Sequence, residues 1–89
     1  MSTPSTATAP AFTIYSTPWC GYCARLKSQL TRAGVAFTEV DIEQDPSAEE
    51  LVKQANGGNA TVPTLSFADG STLTNPSIHQ VTEHLATLA

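Results

Sequence analysis

The chain has few charged residues and almost no basic ones. Of its 89 residues, four are Lys or Arg and eight are Asp or Glu, which gives a formal net charge of −4. A surface that binds DNA or RNA needs clustered positive charge to neutralise phosphates, so this composition argues against nucleic acid as a partner. No run of 18 apolar residues occurs in the sequence, which argues against a membrane-spanning helix. We therefore expect neither nucleic acid nor a membrane as a binding partner.

Signals for export are also missing. The first residues carry neither the basic segment nor the apolar segment of a secretory signal peptide. Residues 1–10 are small, uncharged and interrupted by proline, and they predict a disordered tail ahead of a single domain at residues 11–89. We expect a monomer in the cytoplasm, a reducing compartment in which stable disulfides are rare.

Only two cysteines are present, Cys20 and Cys23, within the segment Trp-Cys-Gly-Tyr-Cys. A structural disulfide is disfavoured because so short a ring restricts the unfolded chain much less than a long loop does. A zinc site with His79 and His84 is also disfavoured, since 55 residues separate the two pairs, whereas zinc fingers use about 12 to 15. The two histidines would also lie about 140° apart on a predicted helix. We interpret both histidines as solvated side chains and the cysteines as a redox pair.

Four strands and three helices are predicted, in the order β-α-β-α-β-β-α. Short runs of β-branched and aromatic residues predict the strands, at residues 11–15, within 35–42, at 64–68 and around 71–74. Asp69-Gly70 is a strong hairpin signal, so the last two strands should be antiparallel. The first β-α-β unit should join parallel strands. The sequence therefore predicts an α/β domain with a four-stranded mixed sheet flanked by three helices on its two faces.

Capping and stop signals delimit the helices. The first helix follows the cysteines and should end at Gly34. The second should begin at Asp45-Pro46, with a capping box of Ser47 and Glu50 as a competing start two residues later, and the third should be capped by Asn75-Pro76. Apolar residues predict the buried sides of the last two helices: Leu51, Val52 and Ala55 in the second, and Ile78, Val81, Leu85 and Leu88 in the third.

The position of the cysteines between a strand and a helix indicates thiol–disulfide chemistry. The free N–H groups and aligned peptide dipoles at a helix N-terminus stabilise a thiolate, so the pKa of Cys20 should lie below the free value of about 8.5. Cys23 lies one turn deeper, close enough to form a disulfide and more shielded from solvent. We predict Cys20 as the nucleophile, Cys23 as the resolving thiol, and a redox-active disulfide between them.

The element order, the C-x-x-C pair after the first strand and Thr-Val-Pro at residues 61–63 together resemble the thioredoxin fold in its glutaredoxin form, over residues 11–88. The segment Trp-Cys-Gly-Tyr-Cys followed by Arg-Leu-Lys at residues 25–27 resembles a dithiol glutaredoxin. Residues 56–64 and 69–77 narrow the resemblance to the mycoredoxins. These are the glutaredoxins of bacteria that use mycothiol in place of glutathione.

Two departures from glutathione-using glutaredoxins accompany that resemblance. Such enzymes commonly carry a lysine where this chain has Thr17, and a Gly-Gly with acidic residues where it has residues 74–77. Both features help them to hold the charged ends of glutathione. Mycothiol presents an acetylated cysteine on a neutral sugar-inositol and has no free carboxylate. An enzyme that binds mycothiol should therefore lack the charged contacts that glutathione-using glutaredoxins make with glutathione.

The resemblance implies a mycothiol-dependent oxidoreductase that reduces mixed disulfides between proteins and mycothiol. The Cys20 thiolate would attack the mycothiol sulfur, and a second mycothiol, or Cys23, would then release the adduct. An NADPH-dependent reductase would recycle the mycothiol disulfide, and no metal or bound organic cofactor is required. Two alternatives stay open: a glutathione-dependent glutaredoxin, and a dimeric glutaredoxin that carries a [2Fe–2S] cluster.

The resemblance also implies where substrate binds. The bond before Pro63 should be cis and should face the cysteines, leaving the Val62 backbone free to pair with the cysteinyl backbone of a bound thiol. Tyr22 should border the substrate groove, and Trp19 either packs under the motif or contacts a partner. The predicted substrate-binding residues are Trp19, Tyr22, Thr61, Val62, Pro63 and Asn75.

Overall fold

A computed structural model describes residues 10–88 and contains the seven elements in the predicted order. They are β1 (Phe12–Ser16), α1 (Gly21–Arg32), β2 (Thr38–Asp41), α2 (Pro46–Ala55), β3 (Thr64–Phe67), β4 (Thr72–Thr74) and α3 (Ile78–Leu88). The predicted disordered tail lies, apart from Pro10, outside the described residues. Within residues 10–88, no helix has the length and apolar character needed to cross a membrane.

The predicted mixed sheet is confirmed, with strand order β2-β1-β3-β4. β1 runs parallel to β2 and antiparallel to β3, and Ile14 pairs with Glu39 on one side and Leu65 on the other. β3 and β4 are antiparallel, as the Asp69-Gly70 turn predicts. β1 is therefore a central strand, with β2 on one side and β3 on the other. The cysteine pair follows the carboxyl end of this central strand.

Side chains alternate across the sheet and build a separate apolar cluster on each face. Helices α1 and α3 cover one face, where the buried residues are Phe12, Ile14, Leu26, Leu30, Leu65, Phe67 and Val81. Helix α2 covers the other, where Ile42, Ala48 and Val52 are buried and Tyr15, Val40 and Val62 pack against them. Helices on both faces were predicted, and the two clusters confirm them.

Two helix boundaries follow the sequence signals. The Asp45 carboxylate accepts the N–H groups of Ser47 at 3.1 Å and Ala48 at 3.2 Å, which confirms Asp45 as the N-cap of α2. Helix α1 ends at Arg32 with Ala33 as its C-cap, and Gly34 follows with φ of 75°. Glycine adopts this left-handed conformation without a steric penalty, so the predicted stop is confirmed.

The prediction for the start of α3 was wrong. The cap is formed by Ser77 and Gln80: the Ser77 N–H donates to Gln80 Oε1 at 2.8 Å, and the Gln80 N–H donates to Ser77 Oγ at 3.1 Å. This reciprocal pair is a capping box. Asn75 instead takes a positive φ of 48°, which turns the chain before the helix. Ser77 is the cap because its short side chain can accept the N–H of Gln80, which lies three residues later in the first turn of α3.

Burial was overestimated at three of the predicted apolar positions. Leu51 is 40% exposed, Ala55 is exposed, and Leu88 at the end of α3 is also exposed. Helix α2 meets the sheet along the line of Ala48 and Val52, which are four residues apart. Leu51 lies about 100° around the helix axis from Val52, so its side chain points away from that contact.

The adjacent residues Val52 and Leu51 offer a direct test of this packing. We expect Val52→Ala to lower the free energy of unfolding by about 2 kcal/mol, because it removes two buried methyl groups and leaves a cavity. Leu51→Ala is the matched control and should change it by no more than about 0.5 kcal/mol. Urea unfolding followed by circular dichroism measures both. Equal losses in the two variants would contradict the described orientation of α2.

Candidate active site

Cys20 lies at the N-terminus of α1, as predicted. It is the N-cap residue, and its carbonyl oxygen accepts the Ala24 N–H at 3.1 Å. Its side chain accepts the backbone N–H of Cys23, with a distance of 3.1 Å between the nitrogen and Cys20 Sγ. A sulfur in this position benefits from the helix dipole and from a hydrogen bond that strengthens when the sulfur carries negative charge. Cys20 is partly exposed, so a disulfide can approach it from solvent.

Cys23 is much less accessible than Cys20. It is fully buried. Burial, together with the hydrogen bond to the Cys20 side chain, raises the pKa of Cys23 to about 12. A backbone hydrogen bond with Thr17 and the positive charge of Lys27 oppose that rise without cancelling it. Cys23 is therefore a protonated thiol at neutral pH, and the predicted difference in exposure between the two sulfurs is confirmed.

Residues 61–63 run past Cys20. The Val62–Pro63 peptide bond is cis, as predicted, and the Val62 carbonyl oxygen lies 4.0 Å from Cys20 Sγ. Thr61 is held through its carbonyl oxygen, which accepts the Thr64 hydroxyl at 2.7 Å. Pro63 is fully buried. The predicted contact between this segment and the exposed cysteine is thus present, across 42 residues of sequence.

A groove of about 500 Å³ lies between the first turns of α1 and the turn from β4 into α3, and it begins at Tyr22, two residues after Cys20. Tyr22, 68% exposed, forms part of its wall; that this groove binds substrate stays a prediction. Asn75 also lines it, and the Asn75 N–H donates to the Pro63 carbonyl oxygen at 2.7 Å, which ties the groove to the segment beside Cys20. The remaining lining residues are Arg25, Leu26, Gln29, Pro76, Ser77, Ile78, His79 and Gln80.

Several of these lining residues were missed from the sequence. Arg25 and Gln29 follow Tyr22 by three and seven residues, which is the spacing of one helix face. Extending that face from Tyr22 along α1 would have found both. Ser77 and Gln80 would have followed from recognising the capping box.

Trp19 lies outside the core, with 71% of its surface exposed. Its indole Nε1–H donates to a carboxylate oxygen of Glu43 at 2.6 Å. Of the two alternatives for Trp19, packing under the motif is therefore wrong, and the side chain is available for contact with a partner. The Glu43 contact spans 24 residues, so no local sequence pattern could have indicated it.

The histidines form no site together. His79 lines the groove and is exposed. The prediction that both are simply solvated was wrong for His84, whose ring lies 4.4 Å from that of Phe67 and whose Nε2 lies 2.7 Å from Ser71 Oγ. Across the described part of the chain, no group of three or more His, Cys, Asp or Glu side chains is arranged to hold a metal ion.

The contrast between the two sulfurs predicts selective alkylation. At neutral pH, iodoacetamide should label Cys20 first in the reduced protein and leave Cys23 unmodified, because Cys23 is buried and its raised pKa keeps it protonated. Both cysteines fall in the tryptic peptide of residues 1–25, so fragmentation of that peptide by tandem mass spectrometry identifies the labelled cysteine. The unfolded protein, in which both should react, is the control. Preferential labelling of Cys23 would reverse the assignment of the two roles.

Known proteins with similar sequences agree with this geometry. A family model described as glutaredoxin matches residues 12–71. A glutaredoxin-family protein of Mycobacterium tuberculosis is 58% identical over 79 residues, which cover 89% of this chain and 94% of that protein. Mycoredoxin 1 of Corynebacterium glutamicum is 42% identical over 77 residues, which cover 86% of this chain and 95% of that protein.

A similar fold is found among solved structures. The crystal structure of a thioredoxin-like protein aligns with a TM-score of 0.69 over 81% of this chain and 96% of that one, at 24% sequence identity. At that identity the likeness concerns the fold alone. The matched family model and the sequence relatives show that the chain belongs to the glutaredoxin family of thiol–disulfide oxidoreductases and is related to mycoredoxin.

Proposed function

We propose that this glutaredoxin reduces mixed disulfides between proteins and mycothiol, with mycothiol as the reducing co-substrate. The observation that carries the proposal is the groove that begins at Tyr22, two residues after Cys20, whose lining, within the described residues, mixes polar and apolar side chains and contains Arg25 but no Asp or Glu. A thiol bound through its sulfur at Cys20 would lie next to the Val62 backbone, 4.0 Å from Cys20 Sγ. The rest of the molecule would extend past Asn75 into the groove.

The chemistry of the groove suits a sugar-inositol. Tyr22 offers an exposed aromatic ring against which the apolar face of a sugar can pack. Gln29, Asn75 and Gln80 bring side-chain amides, which both donate and accept hydrogen bonds and so match hydroxyl groups. A neutral, hydroxyl-rich ligand thus finds partners for its polar groups without needing a complementary charge.

Glutathione finds fewer partners for its carboxylates. The N-terminus of a helix attracts anions through its free N–H groups. At the start of α3, however, the Ser77 N–H already donates to Gln80 Oε1, and the Gln80 N–H already donates to Ser77 Oγ. Thr17, at the position where glutathione enzymes carry lysine, is buried. Arg25 is a cation that a carboxylate could still use, so glutathione is the competing thiol in the test.

The proposed reaction is two successive thiol–disulfide exchanges. The Cys20 thiolate attacks the mycothiol sulfur, a Cys20–mycothiol bond forms, the original disulfide breaks, and the client protein leaves as a thiolate that takes a proton from water. The thiolate of a second mycothiol then attacks the bound mycothiol sulfur. This restores the Cys20 thiolate and gives mycothiol disulfide, which an NADPH-dependent reductase would recycle. Cys23 can displace the adduct instead, but it must first lose a proton that its raised pKa holds.

Single cysteine substitutions test the route. Cys20→Ser should lower the rate on a protein–mycothiol disulfide by at least about 1000-fold, because no other exposed sulfur lies at the helix N-terminus in the described residues. Cys23→Ser should stay within about an order of magnitude of wild type, since both exchanges need one cysteine. A coupled assay with mycothiol and its disulfide reductase measures the rates. If both variants are equally inactive, the enzyme is an obligate dithiol reductase.

Thiol preference tests the substrate class. We expect mycothiol to turn over the Cys20–mycothiol adduct at least about tenfold faster than glutathione turns over the Cys20–glutathione adduct, at matched pH and concentration. Stopped-flow mixing of each preformed adduct with its own thiol measures this ratio. Equal or faster turnover with glutathione would assign the chain to glutathione instead.

The capping box provides a variant for the same measurement. Gln80→Ala removes a groove amide and frees the Ser77 N–H, so the preference for mycothiol should shrink several-fold. Thr82→Ala, an exposed change on the same helix, is the matched control and should leave the ratio unchanged. An unaltered ratio in Gln80→Ala would remove the capping box from the explanation of thiol choice.

A further inference from the structure

The two aromatic residues that flank Cys20 extend toward opposite edges of the sheet. Tyr22 faces the groove at the turn from β4 into α3. Trp19 bonds to Glu43, which lies in the turn from β2 into α2. Because β2 and β4 are the two edge strands, Cys20 lies between two different surfaces. The groove surface is concave, and the second surface is defined by Trp19 and the acidic turn at residues 41–45.

Trp19 has the properties of a residue that binds a partner. It is 71% exposed, yet the Glu43 carboxylate fixes the direction of its indole ring through a 2.6 Å hydrogen bond. An aromatic ring that is already oriented loses little conformational freedom when a partner covers it. Tryptophan is also among the residue types that contribute most to the binding energy of protein interfaces.

The charge beside Trp19 indicates what kind of segment would bind there. Asp41, Glu43 and Asp45 fall within five residues of the chain. Asp41 and Asp45 are held in place by backbone N–H groups, which donate to Asp41 from Glu43 at 2.9 Å and to Asp45 from Ser47 at 3.1 Å. The Glu43 carboxylate that holds the exposed ring, with Asp41 and Asp45 two residues before and after it in the chain, favours a basic partner and repels an acidic one.

We propose that the surface formed by Trp19 and residues 41–45 binds the client polypeptide, preferring a segment with a basic residue beside its modified cysteine. This inference rests on the proposed function in taking mycothiol to occupy the groove on the Tyr22 side. Binding mycothiol on one side of Cys20 and the client on the other also decides which sulfur of the mixed disulfide is attacked. With mycothiol held in the groove, Cys20 Sγ bonds to the mycothiol sulfur, the disulfide breaks, and the client sulfur leaves with the electron pair on the Trp19 side.

The test compares three mycothiol disulfides. One is a mycothiolated peptide with arginine beside the cysteine, one is the same peptide with glutamate there, and one is the small mixed disulfide of mycothiol and 2-mercaptoethanol. We expect Trp19→Ala to lower kcat/KM for the arginine peptide about tenfold more than for the small disulfide. Trp19→Phe should restore part of the difference. Equal losses on peptide and small disulfide would overturn the client surface.

Charge is tested by Glu43→Gln, which keeps an oxygen acceptor for the indole N–H. The wild-type enzyme should prefer the arginine peptide over the glutamate peptide by about threefold at low salt, and Glu43→Gln should reduce that preference. Leu88→Ala removes another exposed apolar side chain, at the far end of α3, and should leave all three rates unchanged. Wild-type enzyme without a preference for arginine would overturn the basic-partner assignment.

Failure of the proposed function can be recognised separately. If wild-type enzyme turns over none of the mycothiol disulfides, the corresponding glutathione disulfides replace them. The ratio of peptide to small-disulfide rates in Trp19→Ala then still reports on the client surface. A larger loss on the peptide supports the surface with either thiol, and equal losses overturn it with either.

Discussion

The hydrogen bond from the Cys23 N–H to Cys20 Sγ is the contact on which the chemistry of this site depends. It exists because Cys20 is the N-cap of α1, where the first N–H groups of the helix have no partner within the helix. The same geometry places Cys23 one turn further along the helix, where it is fully buried. Two chemically identical side chains become an accessible sulfur and a protonated, buried one through position alone.

The strand order then determines what surrounds the accessible sulfur. β1 delivers the cysteines between β2 and β3. The segment entering β3 passes beside Cys20, and the turn after β4 adds Asn75 and the start of α3. The turn after β2 adds Glu43 on the other side. A groove of about 500 Å³ and the exposed Trp19 side chain thus lie on two sides of one reactive atom.

Local signals in the sequence predicted the fold well where a residue caps a helix or forms a turn with nearby residues in the chain. The Asp45 cap, the Gly34 stop and the Asp69-Gly70 turn each depend on backbone groups two or three residues away, and each is confirmed. One error was also local, since the capping box of Ser77 and Gln80 was overlooked; the other errors concern choices that depend on packing. Leu51 satisfies helical periodicity but lies beside the stripe that meets the sheet, and His84 gains Phe67 and Ser71 as neighbours only when α3 packs against β3 and the β-hairpin turn.

The sequence alone determined the cysteine spacing, the strand-then-helix placement that makes Cys20 an N-cap, the order of the elements and the low positive charge. These are properties of composition or of short range, where backbone geometry and hydrogen bonding act directly. Only the tertiary structure decided that Cys23 is fully buried, that Val62 lies beside Cys20, and that Trp19 bonds to Glu43. The Trp19–Glu43 and Cys20–Val62 contacts join residues 24 and 42 positions apart in the sequence. Residues so far apart are brought together by packing of the whole sheet and its helices, and a local sequence pattern cannot predict that packing.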